Sequence, residues 1–547
     1  MVESGGLRGQ LGNARVIARS GLLGPLRPDK YLKMAGAIRR QGLSAMAGAS
    51  LAAARRPEGL ALVDERGAMT WGELEARTDA LAAALSAHLD EQRVDGSNAR
   101  IGLLARNHRG FVESLVATGK LGADLVLLNT AFSGPQLAEL LGRERVDVLV
   151  YDQEYAAALA ELPDVAAGGP MHVIAWEDEP AKGLTLDGLI ADHLGRRPPA
   201  PTGSPHVVLL TSGTTGAPKG AKRGTGGGAG DLVAIIERVP WRAEDTVVVA
   251  APMFHAWGFG CLVLAATMAN TVVMRRHFDP EETLAMAARH RADGMAVVPV
   301  MLERIVDLPP MVRRRYPLPA LRFVTASGSA MEPTALIEFM DAFGDVVYSN
   351  YNATEAGMIA TATPEDLRHD PRSAGRPVRG CRLRILDEDG TQLPTGEVGQ
   401  IAVLNTTPFE GYTHGDGKDH QDGYMLTGDL GRLDAEGRLN VEGRVDDMII
   451  SGGENVYPAE VEAVLGQHRD VVEAAVVGVP DESFGQRLLG YVVLRPGATT
   501  NAQQLRTHVR DQLANYKVPR DIVVLDELPR NASGKVMKRQ LPGASPT

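Results

Sequence analysis

Apolar residues in this chain come in short continuous blocks rather than in strict alternation. IGLLA (101–105), LVLLN (125–129), VDVLVYD (146–152), HVIAW (172–176), HVVLL (206–210), TVVVAA (246–251), MAVVPV (295–300) and RFVTASG (322–328) are too short for ordinary helices. They are also too uniformly apolar for strands with one wet face, so they suit strands covered on both sides, with helix-like segments between them. The pattern predicts a layered α/β fold with mainly parallel strands. Beyond about residue 380, RLRILDEDG and GQIAVLN predict shorter strands of an added β unit reaching to 444. After Arg444, PAEVEAVLGQH and AQQLRTHVRDQLANY read as helices, and EAAVVGV and YVVL as strands. That is enough for a small α+β domain over 445–547, following a large domain over 49–444 and an N-terminal extension over 1–48.

One stretch imitates a membrane span: AWGFGCLVLAATMANTVVM (256–274) has no charge and approaches the ~20 residues a bilayer requires. Its Gly258, Gly260 and Asn270, and its β-rich end, predict a buried helix followed by a strand instead. The net charge of −11 supplies no global basic field for a polyanion, so nucleic acid is not an expected partner. Two cysteines, Cys261 and Cys381, cannot build a disulfide framework or a cysteine-rich zinc site, which fits a cytoplasmic protein. In the extension, Arg15, Arg19, Arg27, Lys30, Lys33, Arg39 and Arg40 are mixed with apolar residues. A solvated helix or arm lying on the protein is expected there, with peripheral contact to an anionic bilayer as the alternative.

The strand HVVLL runs into TSGTTGAPKG (211–220). Thr211, Ser212, Thr214 and Thr215 offer hydroxyls, Gly213 and Gly216 permit close backbone approach, and Lys219 adds a positive charge, a composition suited to phosphate. It is not a Walker loop, because Gly220 follows Lys219 where that pattern has Ser or Thr.

TSGTTGAPKG resembles the phosphate signature of the adenylate-forming superfamily: acyl- and aryl-CoA synthetases, luciferases and the adenylation domains of peptide synthetases. The resemblance continues in order through PMFHAWG (252–258), ASGSAMEP (326–333), NYNATEAG (350–357), YMLTGDLGRLDAEGRL (424–439), EGRVDDMIISGGENVYPAEVE (442–462) and LPRNASGKVMKRQL (528–541), and SGGENVYPAEVE is most similar to fatty acyl-CoA ligases. It implies a carboxylate that attacks the α-phosphorus of ATP, releases pyrophosphate, and passes its acyl group from AMP to CoA.

The resemblance implies residue roles as well. The loop would hold the departing β- and γ-phosphates, Thr354 would meet the α-phosphate, and Glu355 would bind Mg²⁺. Tyr351 would stack on adenine, Asn350 would hydrogen-bond it, and Gly328 with Ser329 would form the opposite wall. Asp429 and Arg444 would take the ribose hydroxyls, and His255 would lie beside the acyl channel. Lys535 would be the catalytic lysine, Asp446 the hinge of a swinging C-terminal domain, and Gly452 and Gly453 the turn presented to the CoA side. His255 and Ala256 stand where amino-acid-activating domains usually place Asp, which favours an acid without an α-amino group.

Three departures stand out. Asn352 replaces a usual Gly, which a left-handed Asn would tolerate; KRGTGGGAGDL (222–232) replaces a usual helix start; and Ile450 stands where luciferases have Lys. The expected function is an ATP- and Mg²⁺-dependent acyl-CoA synthetase for a medium- or long-chain fatty acid. An aryl-acid CoA ligase, or an acyl-AMP ligase loading a carrier protein, is the alternative.

Overall fold

The computed structural model describes the chain apart from residues 1–6, 23, 25, 43–44, 93, 161, 163–168, 202, 204, 212–218, 224–227, 406–418, 452–453, 482–484, 532–533 and 543–547. The chain forms two compact units. The larger comprises 1–371, 377–381 and 405–418, and the smaller comprises 372–376, 382–404 and 419–547.

Two largely parallel sheets build the larger unit, as the continuous apolar blocks require. One runs in the order Leu184–Thr185, Met171–Trp176, Val148–Asp152, Arg100–Leu104, Asp124–Leu127, Val207–Thr211, Lys219–Arg223, with only the last pair antiparallel. The other has a parallel centre of Thr271–Val273, Thr246–Val249, Gly294–Val297, Phe323–Ala326 and Val347–Ala353. The hairpin Leu60–Asp64 with Gly67–Thr70 flanks it on one side, and Gly357–Ala362 pairs antiparallel on the other. Val148–Asp152, Gly294–Val297 and Phe323–Ala326 are buried at every position. The stretch that imitates a membrane span is the helix Ala256–Thr267 followed by the strand Thr271–Val273. Among the described residues, no helix is long and apolar enough to cross a membrane.

The smaller unit begins with an antiparallel sheet of Arg382–Leu386, Gly399–Leu404, Tyr424–Leu433 and Leu439–Arg444, to which Ser373–Pro377 adds. Its second sheet pairs Gly485–Leu494 with Val471–Asp481, Ile449–Ser451 and Asp521–Leu525. The helices Pro458–Gly466 and Ala502–Arg510 contribute Val461, Leu465, Leu505 and Val509 to one core. Leu528 and Leu541 join Val477, Val479 and Tyr491 in a separate one. The second helix stops at Arg510, short of the predicted end, and Asn515–Lys517 makes a separate 3₁₀ turn.

The two sheets of the larger unit are tied at their carboxyl edges by Asn107. This buried residue follows the strand Arg100–Leu104. Its Nδ2 donates to the carbonyls of Val249 (3.2 Å), Ala250 (3.5 Å) and Ala251 (2.9 Å), and its Oδ1 accepts from the Met253 amide (2.9 Å). The next residue, His108, caps the helix Arg109–Leu121 by accepting from the Gly110 amide at Nδ1 (3.0 Å). That contact leaves the proton on Nε2, which donates to Asp152 Oδ1 (2.7 Å) in a fully buried pair. Asp152 accepts from the Arg106 amide through its other oxygen (2.9 Å).

Replacing Asn107 strands several buried backbone groups, each worth about 1–3 kcal/mol. Asn107→Ala is expected to lower unfolding free energy by roughly 2–4 kcal/mol in urea titrations. Asn107→Asp should be no better, because a carboxylate would face three carbonyl oxygens with no proton to offer.

Candidate active site

Ligands of parallel α/β sheets sit outside the carboxyl ends of the strands, where loops and helix N-termini leave backbone groups to spare. Three predicted site segments of the larger unit fall on that edge of one sheet. Thr246–Val249 leads into the loop ending at His255, Phe323–Ala326 into Ser327–Ser329, and Asn350 and Tyr351 occupy the end of Val347–Ala353. Their levels match across the sheet, since Val249 is in register with Ala296, Val297 with Ala326, and Ala326 with Ser349.

His255 is the N-cap of the helix Ala256–Thr267, but its side chain makes no capping bond. Its ring lies 4.5 Å, centre to centre, from that of Phe254, and its buried Nε2 has no hydrogen-bond partner. Burial pushes its pKa down to about 4, so the imidazole is neutral at ordinary pH. Nε2 is thus a neutral, unpartnered nitrogen buried at the start of this helix. The loop before it is held from outside by Asn107. A Cβ on Gly258 would collide with the carbonyls of Ala251 and Pro252, so this glycine lets the helix close against the loop. Trp257 Nε1 then donates to Val297 O (2.9 Å), pinning the helix start to the central strand.

Gly328 turns the chain with φ +115°, a conformation that favours glycine, and leaves Ser329 exposed. Ser327 Oγ donates to Asn350 O (2.7 Å). The Asn350 amide is engaged inside the sheet: Nδ2 donates to Thr325 Oγ1 (2.8 Å) and Ala326 O (3.1 Å), and Oδ1 accepts from Thr361 (3.0 Å). Here Asn350 fixes the strand that presents Tyr351. Thr354 and Glu355 occupy the turn between Val347–Ala353 and Gly357–Ala362. Asn405 braces that turn, donating to Ala356 O and to Met358 O (3.1 Å). Asn352 is not among the residues with positive φ. The left-handed backbone expected there is not adopted, and the register with the next strand shifts between Tyr351 and Asn352.

Thr211 and Lys219 pair across the hairpin Val207–Thr211 with Lys219–Arg223, which puts both ends of the phosphate-type loop at one point. Ser212, Gly213, Thr214, Thr215 and Gly216 lie outside the described residues, as do Gly452 and Gly453. The glycine run at 222–232 does not displace a helix start, because the helix Gly228–Arg238 begins inside it.

In the smaller unit, Asp429 and Arg444 face each other in register on adjacent strands, with Nη1 to Oδ1 at 3.6 Å. Asp446 lies in the 3₁₀ turn Val445–Asp447 that follows. Lys535 stands in a tight turn in which Asn531 accepts from the Lys535 amide through its side chain (2.9 Å) and Gly534 takes φ +80°. Leu528 and Leu541 anchor the chain on either side, and Lys538 pairs with Glu462 (2.7 Å). Although Lys535 as a residue is exposed, enough protein crowds its ammonium to make desolvation the leading cause of a lowered pKa. Arg444 adds to that shift, while Asp447 and Asp429 oppose it. The fold thus brings Asp429, Arg444 and Lys535 into one electrostatic neighbourhood. Asn107 and Asn405 were not singled out in the sequence, since neither lies in a motif. Their only signal is an asparagine within three residues of the end of an apolar strand.

Comparison with known proteins gives the family. Residues 50–413 match the AMP-binding enzyme family and residues 460–535 its C-terminal domain. The indoleacetate–CoA ligase of Aromatoleum aromaticum is 33% identical over 86% of this chain and 92% of its own. A 2-succinylbenzoate–CoA ligase of Geobacillus kaustophilus is 33% identical over 89% and 95%. Among solved structures, ATP-bound MatB of Rhodopseudomonas palustris superposes with TM-score 0.79 at 26% identity, covering 91% of this chain and 98% of that one. The o-succinylbenzoate CoA synthetase of Bacillus subtilis, in complex with its acyl-adenylate intermediate, gives 0.76 at 29% identity with the same coverage. The chain belongs to the AMP-binding enzyme family, the adenylate-forming superfamily.

Proposed function

We propose that this protein is an ATP-dependent, AMP-forming CoA ligase for a ring-bearing carboxylic acid. The observation that carries the acid class is the chemistry named in its relatives. Indoleacetate, 2-succinylbenzoate and ferulate ligases, together with a ligase of Mycobacterium tuberculosis for a fused-ring propanoate that is 33% identical over 89% of this chain, all take acids that carry rings. The fatty acid expected from SGGENVYPAEVE is therefore the less supported reading. That stretch lies far along the chain from the Ala250–His255 loop, the segment next to the expected acyl site.

The chemistry needs charge stabilisation and positioning more than covalent help from the protein. In the first step a carboxylate oxygen bonds to the α-phosphorus and the bond to the β-phosphate oxygen breaks, releasing pyrophosphate. Lys535 would supply positive charge to the carboxylate and α-phosphate as they meet, while Asp429 and Arg444 hold the ribose hydroxyls. Tyr351, Gly328 and Ser329 would enclose adenine, Thr354 would donate to the α-phosphate, and the 211–220 loop would steady the leaving group. Glu355 suits Mg²⁺, which commonly takes one or two carboxylates and completes its shell with water and substrate phosphates. When bound, the ion neutralises phosphate charge. Neutral His255 would border the acyl group without introducing charge. In the second step the CoA sulfur bonds to the acyl carbon and the bond to the AMP oxygen breaks.

AMP release with CoA, measured across ring-bearing acids and across fatty acids from short to long, is expected to give at least about tenfold higher kcat/KM for the best ring acid, a gap of roughly 1.4 kcal/mol. ADP as product would overturn adenylation. Lys535→Ala should reduce acid-dependent pyrophosphate release by about 10²–10³-fold while thioester formation from supplied acyl-AMP stays near wild type. His255 yields a pH test. The unfolded imidazole binds a proton below about pH 6.5 and the folded one only near 4. The unfolded state therefore holds more protons in that window, and stability falls as pH drops through it. His255→Gln should flatten that part of the urea-measured stability profile, by up to ~1.4 kcal/mol per pH unit.

A further inference from the structure

The helix Pro28–Gln41 lies on the larger unit with one side taken and one side bare. On the inner side, Ala37 is buried and Gln41 Nε2 donates to Ser50 Oγ (3.0 Å) at the start of the helix Gly48–Arg55. On the outer side, Leu32 is 76% exposed, Tyr31 46% and Ile38 38%. Positions 31, 32, 35 and 38 follow the three- and four-residue spacing of one helical face, so these side chains form a stripe rather than scattered points. Arg39 is exposed on that stripe, Lys33 and Arg40 are exposed further round the helix, and among the described residues none of the three makes an ion pair.

The charge of this segment opposes that of the chain. Its first 48 residues carry eight basic and two acidic side chains, whereas the whole chain has a net charge of −11. An anionic surface would repel most of the molecule and attract this part of it. We propose that the outer face of Pro28–Gln41 is a docking surface for an anionic lipid bilayer, with Leu32, Tyr31 and Ile38 entering the headgroup boundary and Lys33, Arg39 and Arg40 meeting lipid phosphates. Apolar residues beside basic ones are what an interfacial helix requires. A second copy fits less well, because a two-fold contact through this face would set its basic residues against themselves. The proposal is independent of which acid the enzyme activates.

The test uses the full chain with vesicles of equimolar phosphatidylglycerol and phosphatidylcholine, and with vesicles of phosphatidylcholine alone. Wild type is expected to co-sediment with the anionic vesicles at low salt, to be released as salt rises, and to ignore the neutral ones. Lys33→Glu/Arg39→Glu/Arg40→Glu, and separately Leu32→Glu, should each weaken partitioning about tenfold or more. Both variants should keep the wild-type melting temperature and AMP-forming turnover, because the altered side chains are exposed and lie outside the site. Wild type that stays in the supernatant with anionic vesicles, or variants that bind as wild type does, would overturn the proposal. So would a concentration-dependent dimer that Leu32→Glu abolishes, since it would assign the face to a second copy.

Discussion

One carboxamide ties the edges of the two sheets in the larger unit. Two parallel sheets can pack face to face through apolar contact alone, but such contact is tolerant of sliding and fixes no loop at their edges. Asn107 supplies the missing directionality, because a single side chain offers both donor and acceptor to a backbone segment that has left its strand. The carboxamide does both without charge, from two separate atoms. Its neighbours are set with comparable care, and the buried His108–Asp152 pair holds the chain at the next residue. His255 is therefore placed through the backbone, which leaves its own nitrogen uncommitted.

A different logic governs the smaller unit, where charge rather than packing sets the chemistry. Arg444 and Asp429 partly neutralise each other across adjacent strands, and Lys535 is held in their field on a turn with apolar anchors on both sides. Desolvation lowers the lysine's hold on its proton, and Asp447 and Asp429 work against that loss.

The layered sheets were legible because burial on both faces writes itself as continuous apolar blocks, whereas the expected break at 444 is not where the chain divides, since the short strands after 380 fall in the same compact unit as the C-terminal helices. Motif spacing placed Thr354, Glu355, Asp429 and Lys535 among the candidates, although a Thr-Glu pair taken alone reads as a helix start and here forms a hairpin turn. Asn107 and Asn405 escaped notice because their partners are main-chain atoms distant in sequence, and main-chain atoms leave no compositional trace. Asn352 was visible as an oddity, but whether a bulge or a left-handed turn would absorb it depends on the neighbouring strand. The acid was least legible, since an acyl pocket is lined by side chains that belong to no motif.

Both devices that fix the backbone of the Ala250–Met253 segment, the Asn107 amide and the bare Cα of Gly258, lie outside the segment itself. The course of this main chain is thus set by atoms other than its own side chains, so the loop inherits its path from the strand end and the helix on either side of it.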